Sequence, residues 1–219
     1  ALRYSSTGSG RAGWNVRGRS RCPYCGQFLS WYELVPLLSF LFQSGRCRSC
    51  GKKLSWQYPI AEILGGLIAI FLPLGWWIPA YILLLTSLID FRLKIIPDSL
   101  IIILAGWGVI EGVLTGGIGR LVDNLSASIL SVLFFVLIII GTQIMTKNSG
   151  MGWGDVKLGA ALGLWLGLPG IFYALVSAFI LGAIFGVILL ITKQKGRKDA
   201  IPFGPFLAIG AILAQSNFF

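Results

Sequence analysis

The chain has 219 residues, of which 56% are hydrophobic and 12% charged, and its mean hydropathy of +0.82 excludes a soluble globular enzyme. A net charge of +10 would suggest nucleic acid in a polar chain, but beside long apolar runs it indicates an anionic lipid bilayer as the partner and no nucleic acid. The absence of histidine excludes Ser/His/Asp and Cys/His catalysis and also histidine metal ligands.

The composition changes along the chain and predicts three regions. Residues 1–20 are rich in Gly, Ser and Arg and have no apolar periodicity, so no fold is predicted for them. Residues 21–57 contain all four cysteines and form a polar head. Residues 58–219 are apolar stretches broken by Gly, Pro and charge. We therefore expect a small head joined to a membrane-embedded bundle.

The head is expected to hold a metal ion. Cys22 and Cys25 form one Cys-x-x-Cys pair, Cys47 and Cys50 form a second, and a glycine follows each pair. Glycine permits the tight turn that wraps sulfur ligands around an ion, and four thiolates suit a closed, structural zinc site in a zinc-ribbon-like head. Two disulfides or a redox pair are the alternatives. A reducing compartment and a small hydrophobic core both favour zinc.

The apolar runs of the body predict an all-α polytopic membrane protein with about seven transmembrane helices. Several runs are shorter than the roughly 20 residues that cross a bilayer in a straight helix. Gly182 and Gly186 have the small-xxx-small spacing that lets helix backbones approach closely, which favours a compact bundle. The runs cover residues 59–73, 76–91, 99–114, 121–145, 156–168, 170–192 and 203–217.

The basic residues predict the orientation of this bundle. If the head lies on one side and the chain crosses seven times, every Lys and Arg except Arg120 falls on the side of the head. The positive-inside rule then places the head in the cytoplasm. Trp76, Trp77 and Tyr81 fall at the opposite interface, where aromatic anchors are common.

Two aspartates near the ends of predicted spans are candidate catalytic groups. Asp90 closes the second span and Asp155 opens the fifth, so the predicted topology puts both near the cytoplasmic boundary. An ionisable residue at a span is costly and is therefore a functional candidate. Two carboxylates held close share one proton: the ionised member activates water while the protonated member polarises a carbonyl. This is aspartyl peptidase chemistry.

Each aspartate also has a purely structural interpretation. Asp90 would pair with Arg92 or Lys94 at the interface, and Asp155 would cap a helix N-terminus near Lys157. Spacing alone favours these structural interpretations over the catalytic one.

Five motifs follow one another along the chain: SRCPYCGQFLSWYELVPLLSF, GRCRSCGKKLSWQYPIAEIL, SLIDFRLKIIPDSL, GMGWGDVKLGAALGLWLG and IPFGPFLAIGA. In this order they resemble the bacterial type IV prepilin leader peptidases, a family of GxGD-type membrane aspartyl peptidases. The resemblance covers nearly everything from about residue 20 onward. In that family the aspartate of the ID…IPD stretch and that of GxGD are the catalytic pair. The resemblance therefore implies these roles for Asp90 and Asp155 and favours the catalytic interpretation over the structural one.

The resemblance also implies a substrate and a location. It implies hydrolysis of the short basic leader of prepilins and pseudopilins, after a Gly and before a usually Phe residue, on the cytoplasmic side of the bacterial inner membrane. Gly152 and Gly154 are expected to let a substrate backbone lie close to Asp155, the alternative being turn geometry alone. Pro202 and Pro205 are expected to keep the last helix from extending into the site.

A second activity is implied by the resemblance alone. Many members with the four-cysteine head also N-methylate the new amino terminus with S-adenosylmethionine, and the sequence assigns no residues to this methyl donor. Members usually carry a membrane span before the head, and residues 1–20 contain none, so that span is missing or the chain is an unusual member. Two other functions remain as alternatives. One is a non-enzymatic zinc-ribbon scaffold of a pilus or secretion assembly, and the other is a small transporter whose intramembrane acids carry protons or cations.

Overall fold

The computed structural model describes residues 20–22, 24–146, 151–192 and 202–216. These residues are mostly helical, and their β-structure is limited to isolated bridges. The chain divides into two compact units, whose boundary lies between Leu67 and Ile68 inside a helix. Residues 1–19 of the predicted N-terminal region lie outside the described residues, and the predicted boundary after residue 57 stays a prediction.

The first unit contains two short loops of the same form. An antiparallel bridge closes each loop, between Arg21 and Phe28 in one and between Arg46 and Lys53 in the other. Each loop carries one Cys-x-x-Cys pair, so the fold repeats the arrangement seen in the sequence. The helical elements are a 3-10 turn at Trp31–Leu34, helix α1 at Leu38–Phe42 and helix α2 at Gln57–Phe71, which crosses the unit boundary.

The second unit is a bundle of long apolar helices. Its longest helix is interrupted at Gly117 and the next at Gly167–Leu168, where the backbone leaves the helical conformation. The helices are α3 (Trp77–Leu93), α4 (Asp98–Thr146), α5 (Trp153–Ile191) and α6 (Gly204–Ser216). With α4 and α5 each divided in two, the described helices α2 to α6 form seven apolar segments, against about seven transmembrane helices predicted. The all-α fold class is confirmed.

Three stretches of the described chain are long and apolar enough to cross a membrane: Leu74–Leu93, Asp98–Met145 and Trp153–Ile191. Helices α2 and α6 are apolar but shorter. Large apolar side chains remain exposed along these helices, as expected where lipid replaces water as the solvent. The chain is therefore a membrane protein, and the number of crossings stays a prediction.

Glycines allow α4 and α5 to pack with their backbones in contact. A Cβ atom on Gly108 would lie 2.6 Å from the carbonyl oxygen of Leu164, and one on Gly163 would lie 2.5 Å from Cα of Ser128. Backbone atoms cannot turn aside as a side chain can, so only glycine fits at these two positions. Leu104 belongs to the hydrophobic core and is completely buried.

We expect Gly163→Ala to destabilise the bundle, because its methyl group would meet the backbone of Ser128. Overpacking of this kind costs about 1–3 kcal/mol. The measurement is the thermal unfolding midpoint in detergent, which should fall. Gly141→Ala is the matched control, because nothing lies within 4 Å of the added Cβ. Equal midpoints for the two variants would contradict the close packing of α4 and α5.

Candidate active site and metal centre

Asp90 lies in the last turn of α3 and points into the bundle. The residue is 5% exposed, and its Oδ2 atom accepts a hydrogen bond of 2.9 Å from the backbone N–H of Gly204, the first residue of α6. The structural alternative was a surface pair with Arg92 or Lys94. The observed partner is instead a buried backbone group from a helix that is distant in sequence.

Asp155 lies in the first turn of α5, where the helix macrodipole favours a carboxylate. It is 9% exposed, and its backbone N–H donates to the carbonyl oxygen of Gly152, which is the N-cap residue. The carboxylates of Asp155 and Asp90 are close enough to interact electrostatically. The fold thus brings these two acids, here called the aspartate pair, into one buried site.

Lys157 takes a different partner from the one that spacing suggested. Its Nζ atom lies 2.8 Å from Oδ1 of Asp98, the first residue of α4, and both side chains are largely exposed. An exposed ion pair of this kind contributes little to stability. The ion pair nevertheless shows that α4 and α5 both begin at the end of the bundle that holds the aspartate pair.

The two glycines predicted to contact substrate have different surroundings. Gly152 is exposed, and the nearest atom to a Cβ placed on it is Oδ2 of Asp155, at 3.7 Å. Gly154 is half-buried, and a Cβ on it would lie 3.3 Å from Cβ of Ile96, in the loop between α3 and α4. Open space next to the aspartate pair is therefore found at Gly152, whereas Gly154 mainly allows a loop to pack. Their substrate role stays a prediction.

Two acids at the other end of the bundle escaped the sequence analysis. Glu111 accepts a hydrogen bond of 2.9 Å from Nε1 of Trp165, and Asp123 accepts one of 3.0 Å from the backbone N–H of Leu168. Each bond joins α4 to α5, beside the interruptions of the two helices. A sequence signal was present, since both acids stand in an apolar segment where an unpaired carboxylate would be costly.

The four cysteines of the head meet at one point. Their Sγ atoms all lie within 4.8 Å of one another, with 4.0 Å between Cys22 and Cys50 and 4.0 Å between Cys25 and Cys47. Sulfur ligands around a tetrahedral zinc ion lie about 3.8 Å apart, whereas a disulfide brings them to about 2.0 Å. All four thiols are free. The donor set and its spacing therefore fit a zinc ion.

The backbone of the head explains this convergence. In each loop, the N–H of the glycine after the second cysteine donates to the carbonyl oxygen of the first: Gly26 to Cys22 at 2.9 Å and Gly51 to Cys47 at 2.8 Å. Both glycines have positive φ angles, of 72° and 68°, as the predicted tight turns require. Two equivalent turns thus present two thiols each.

The thiols influence one another strongly. Burial raises the pKa of Cys22, but the backbone N–H groups of Cys25 and Tyr24 and the neighbouring thiols outweigh burial, and the pKa falls to about 7. The backbone N–H of Gln27 lowers the pKa of Cys25, but desolvation and the other three cysteines raise it to about 11. One thiol therefore ionises readily and makes the next ionisation harder. A bound cation relieves this repulsion.

Comparison with known proteins gives the family of this chain. Residues 11–76 match the model of the bacterial peptidase A24 N-terminal domain, and residues 77–187 match that of the type IV leader peptidase family. No solved structure matches the chain.

Three similar proteins are each named prepilin leader peptidase/N-methyltransferase. One from Aeromonas salmonicida is 35% identical over 205 residues, which is 90% of this chain and 70% of the relative. One from Burkholderia pseudomallei is 34% identical over 88% of this chain and 65% of the relative. One from Pseudomonas aeruginosa is 33% identical over 91% of this chain and 71% of the relative. The resemblance seen in the five motifs is confirmed, and the chain belongs to the type IV leader peptidase family.

Proposed function

We propose that this protein is a membrane aspartyl endopeptidase that removes the leader peptide of type IV prepilins and pseudopilins. Asp90 and Asp155 are its catalytic residues. The observation that supports this most directly is that two acids 65 positions apart are both buried and interact electrostatically, in a family of leader peptidases. Burying two like charges in an apolar bundle costs free energy. Their presence in one site is therefore best explained by a function.

The aspartate pair divides the work of hydrolysis between its two members. The ionised carboxylate takes a proton from water, and the water oxygen adds to the scissile carbonyl carbon. The protonated carboxyl donates its hydrogen to the carbonyl oxygen, which stabilises the tetrahedral intermediate. When the carbonyl reforms, its hydroxyl proton returns to the carboxylate that gave it. The C–N bond breaks, and the amine takes the proton that the other carboxyl had accepted from water and leaves as the new amino terminus. Histidine and a covalent intermediate are not needed.

The substrate backbone approaches the aspartate pair at Gly152. The exposure of this residue, and the 3.7 Å between its would-be Cβ and Oδ2 of Asp155, support that placement. Gly154 contributes by letting the chain at Ile96 come close, which keeps the first turn of α5 in place. The leader is basic and is cut after a Gly and before a usually Phe residue.

The end of the bundle that holds the aspartate pair faces the cytoplasm of the bacterial inner membrane. Arg92 and Lys94 follow Asp90, and Lys157 follows Asp155, whereas Arg120 lies beside the interruption of α4 at the other end. This asymmetry obeys the positive-inside rule. It also favours contact with anionic lipid at the cytoplasmic surface. The basic residues at positions 147 and 193–198 lie outside the described residues.

The head binds one structural zinc ion through Cys22, Cys25, Cys47 and Cys50. The thiol spacing supports this, and four sulfur ligands leave no open position for a reactive water. The ion would tie two short loops together in a unit with a small core.

The protein also N-methylates the amino terminus that cleavage releases, with S-adenosylmethionine as the methyl donor. The names of the similar proteins from Aeromonas salmonicida and Pseudomonas aeruginosa support this second activity. We assign no residue to it.

We expect Asp90→Asn and Asp155→Asn each to reduce leader cleavage by a factor of about 100 to 10,000, because neither amide can accept or deliver the required proton. The measurement is cleavage of a synthetic prepilin peptide by purified protein in detergent, followed by mass spectrometry. Asp123→Asn is the control. Its amide oxygen still accepts the Leu168 N–H at the other end of the bundle, and activity should persist. Wild-type cleavage by both pair variants would disprove the mechanism.

We expect about one zinc per chain in protein purified under reducing conditions. Replacing any of the four cysteines by Ser should lower the zinc content and the stability of the head, because three thiols no longer close the site. Elemental analysis measures the metal, and Ser49→Ala, in the turn between Cys47 and Cys50, is the control. Zinc-free protein with mutually oxidised thiols would instead favour the disulfide alternative.

A further inference from the structure

The start of α6 lies against the aspartate pair, although nothing in the proposed chemistry requires it. The sequence there is Pro202-Phe203-Gly204-Pro205, and the only described hydrogen-bond donor to the Asp90 carboxylate is the N–H of Gly204, at 2.9 Å. We propose that Gly204 is a positioning residue, whose backbone N–H fixes the carboxylate of Asp90 for catalysis. This inference rests on the proposed peptidase function.

The N–H of Gly204 is free to make this bond because of its place in the helix. N–H groups in the first turn of a helix have no acceptor in the turn before. Phe206 and Leu207 already donate to the carbonyl oxygen of Phe203, and Pro205 has no N–H to offer. The two prolines therefore leave few N–H donors at this helix end. One of these donors, the N–H of Gly204, points at Asp90.

Glycine is required at position 204 by the space that Asp90 occupies. A Cβ on Gly204 would lie 2.7 Å from Oδ2, 3.3 Å from Cγ and 3.4 Å from Cβ of Asp90. These three nearest atoms all belong to the catalytic side chain. Any larger residue would therefore displace the carboxylate itself or push α6 away from it.

Helix α6 is held firmly enough that Asp90 would have to move. The ring of Phe203 lies 4.9 Å from that of Phe179 on α5 and 6.4 Å from that of Phe135 on α4. Gly210 packs directly against the backbone of Ala174 on α5, where a Cβ would collide with a carbonyl oxygen. Leu207 is completely buried. The start of α6 is thus held against α4 and α5, and in this position the N–H of Gly204 points at Asp90 on α3.

Fixing one oxygen of Asp90 has a catalytic consequence. A carboxylate on a flexible side chain can rotate, whereas proton transfer requires placement within a few tenths of an ångström. With Oδ2 held by Gly204, rotation of the carboxylate is restricted, and Oδ1 remains available for the water or the shared proton. Since substrate binding does not involve this bond, its loss should lower kcat and leave KM unchanged.

The first test is Gly204→Ala, with kcat and KM measured on a synthetic prepilin peptide. A displacement of about 1 Å costs about 100-fold in rate, and we expect a fall of this size in kcat with KM unchanged. Gly106→Ala is the control, because its added Cβ has nothing within 4 Å, and it should behave as the wild type. Wild-type kcat in Gly204→Ala would overturn the proposal.

The second test separates the hydrogen bond from the packing. Replacing the amide that contributes the Gly204 N–H by an ester, through translation with glycolic acid at position 204, removes the donor and adds no bulk. A hydrogen bond to a charged group is worth enough that we expect kcat to fall about tenfold or more. Full activity of the ester protein would overturn the proposal whatever Gly204→Ala does.

The same series distinguishes failure of this inference from failure of the proposed function. If Asp90→Asn is inactive and the ester protein is fully active, the aspartate pair stands and the positioning role falls. If Asp90→Asn itself cleaves normally, the peptidase mechanism falls and the positioning role falls with it.

Discussion

Two buried carboxylates that interact electrostatically in an apolar helix bundle are the constraint on which the rest of this structure depends. Asp90 and Asp155 are almost fully enclosed, and lipid-facing helices provide little water to solvate them. Such a pair persists only if rigid surroundings hold it and supply polar partners. The backbone supplies such partners: the N–H of Gly204 donates to the carboxylate of Asp90, and Asp155 lies in the first turn of α5, where the helix macrodipole favours a carboxylate. Backbone donors have the advantage that they cannot rotate away.

Rigidity at the aspartate pair comes from elements some distance from it. Gly108 and Gly163 let α4 and α5 pack backbone to backbone, and Gly210 does the same for α5 and α6. At the other end, Glu111 and Asp123 join α4 to α5 by hydrogen bonds. The apolar core alone would tolerate sliding of these helices. Directional bonds at one end and glycine contacts along the middle restrict it, so the aspartates stay in register.

The sequence predicts the helices well, because apolar length is a local property. The run predicted at 121–145 is helical over 118–146 once α4 is divided at Gly117, and the four cysteines meet as their spacing predicted. The Gly204–Asp90 bond could not be predicted, since it joins residues 114 positions apart and involves a backbone group that every residue except proline possesses. The prolines of the PFGPF motif predicted that the last helix stops short of the site, and α6 begins at Gly204, but they did not indicate a hydrogen bond to Asp90.

The head and the bundle each bring groups of like charge close together, and each would relieve the repulsion in a different way. In the head, four thiols crowd together, and the pKa of Cys22 near 7 beside that of Cys25 near 11 shows how one ionisation opposes the next. A doubly charged cation would remove that opposition and leave a static structure. In the proposed mechanism, one proton shared between Asp90 and Asp155 would reduce the same kind of repulsion in the bundle. Unlike a bound cation, a proton exchanges readily with water and substrate. The repulsion that zinc would relieve in the head is therefore, in the proposed mechanism, used for hydrolysis in the bundle.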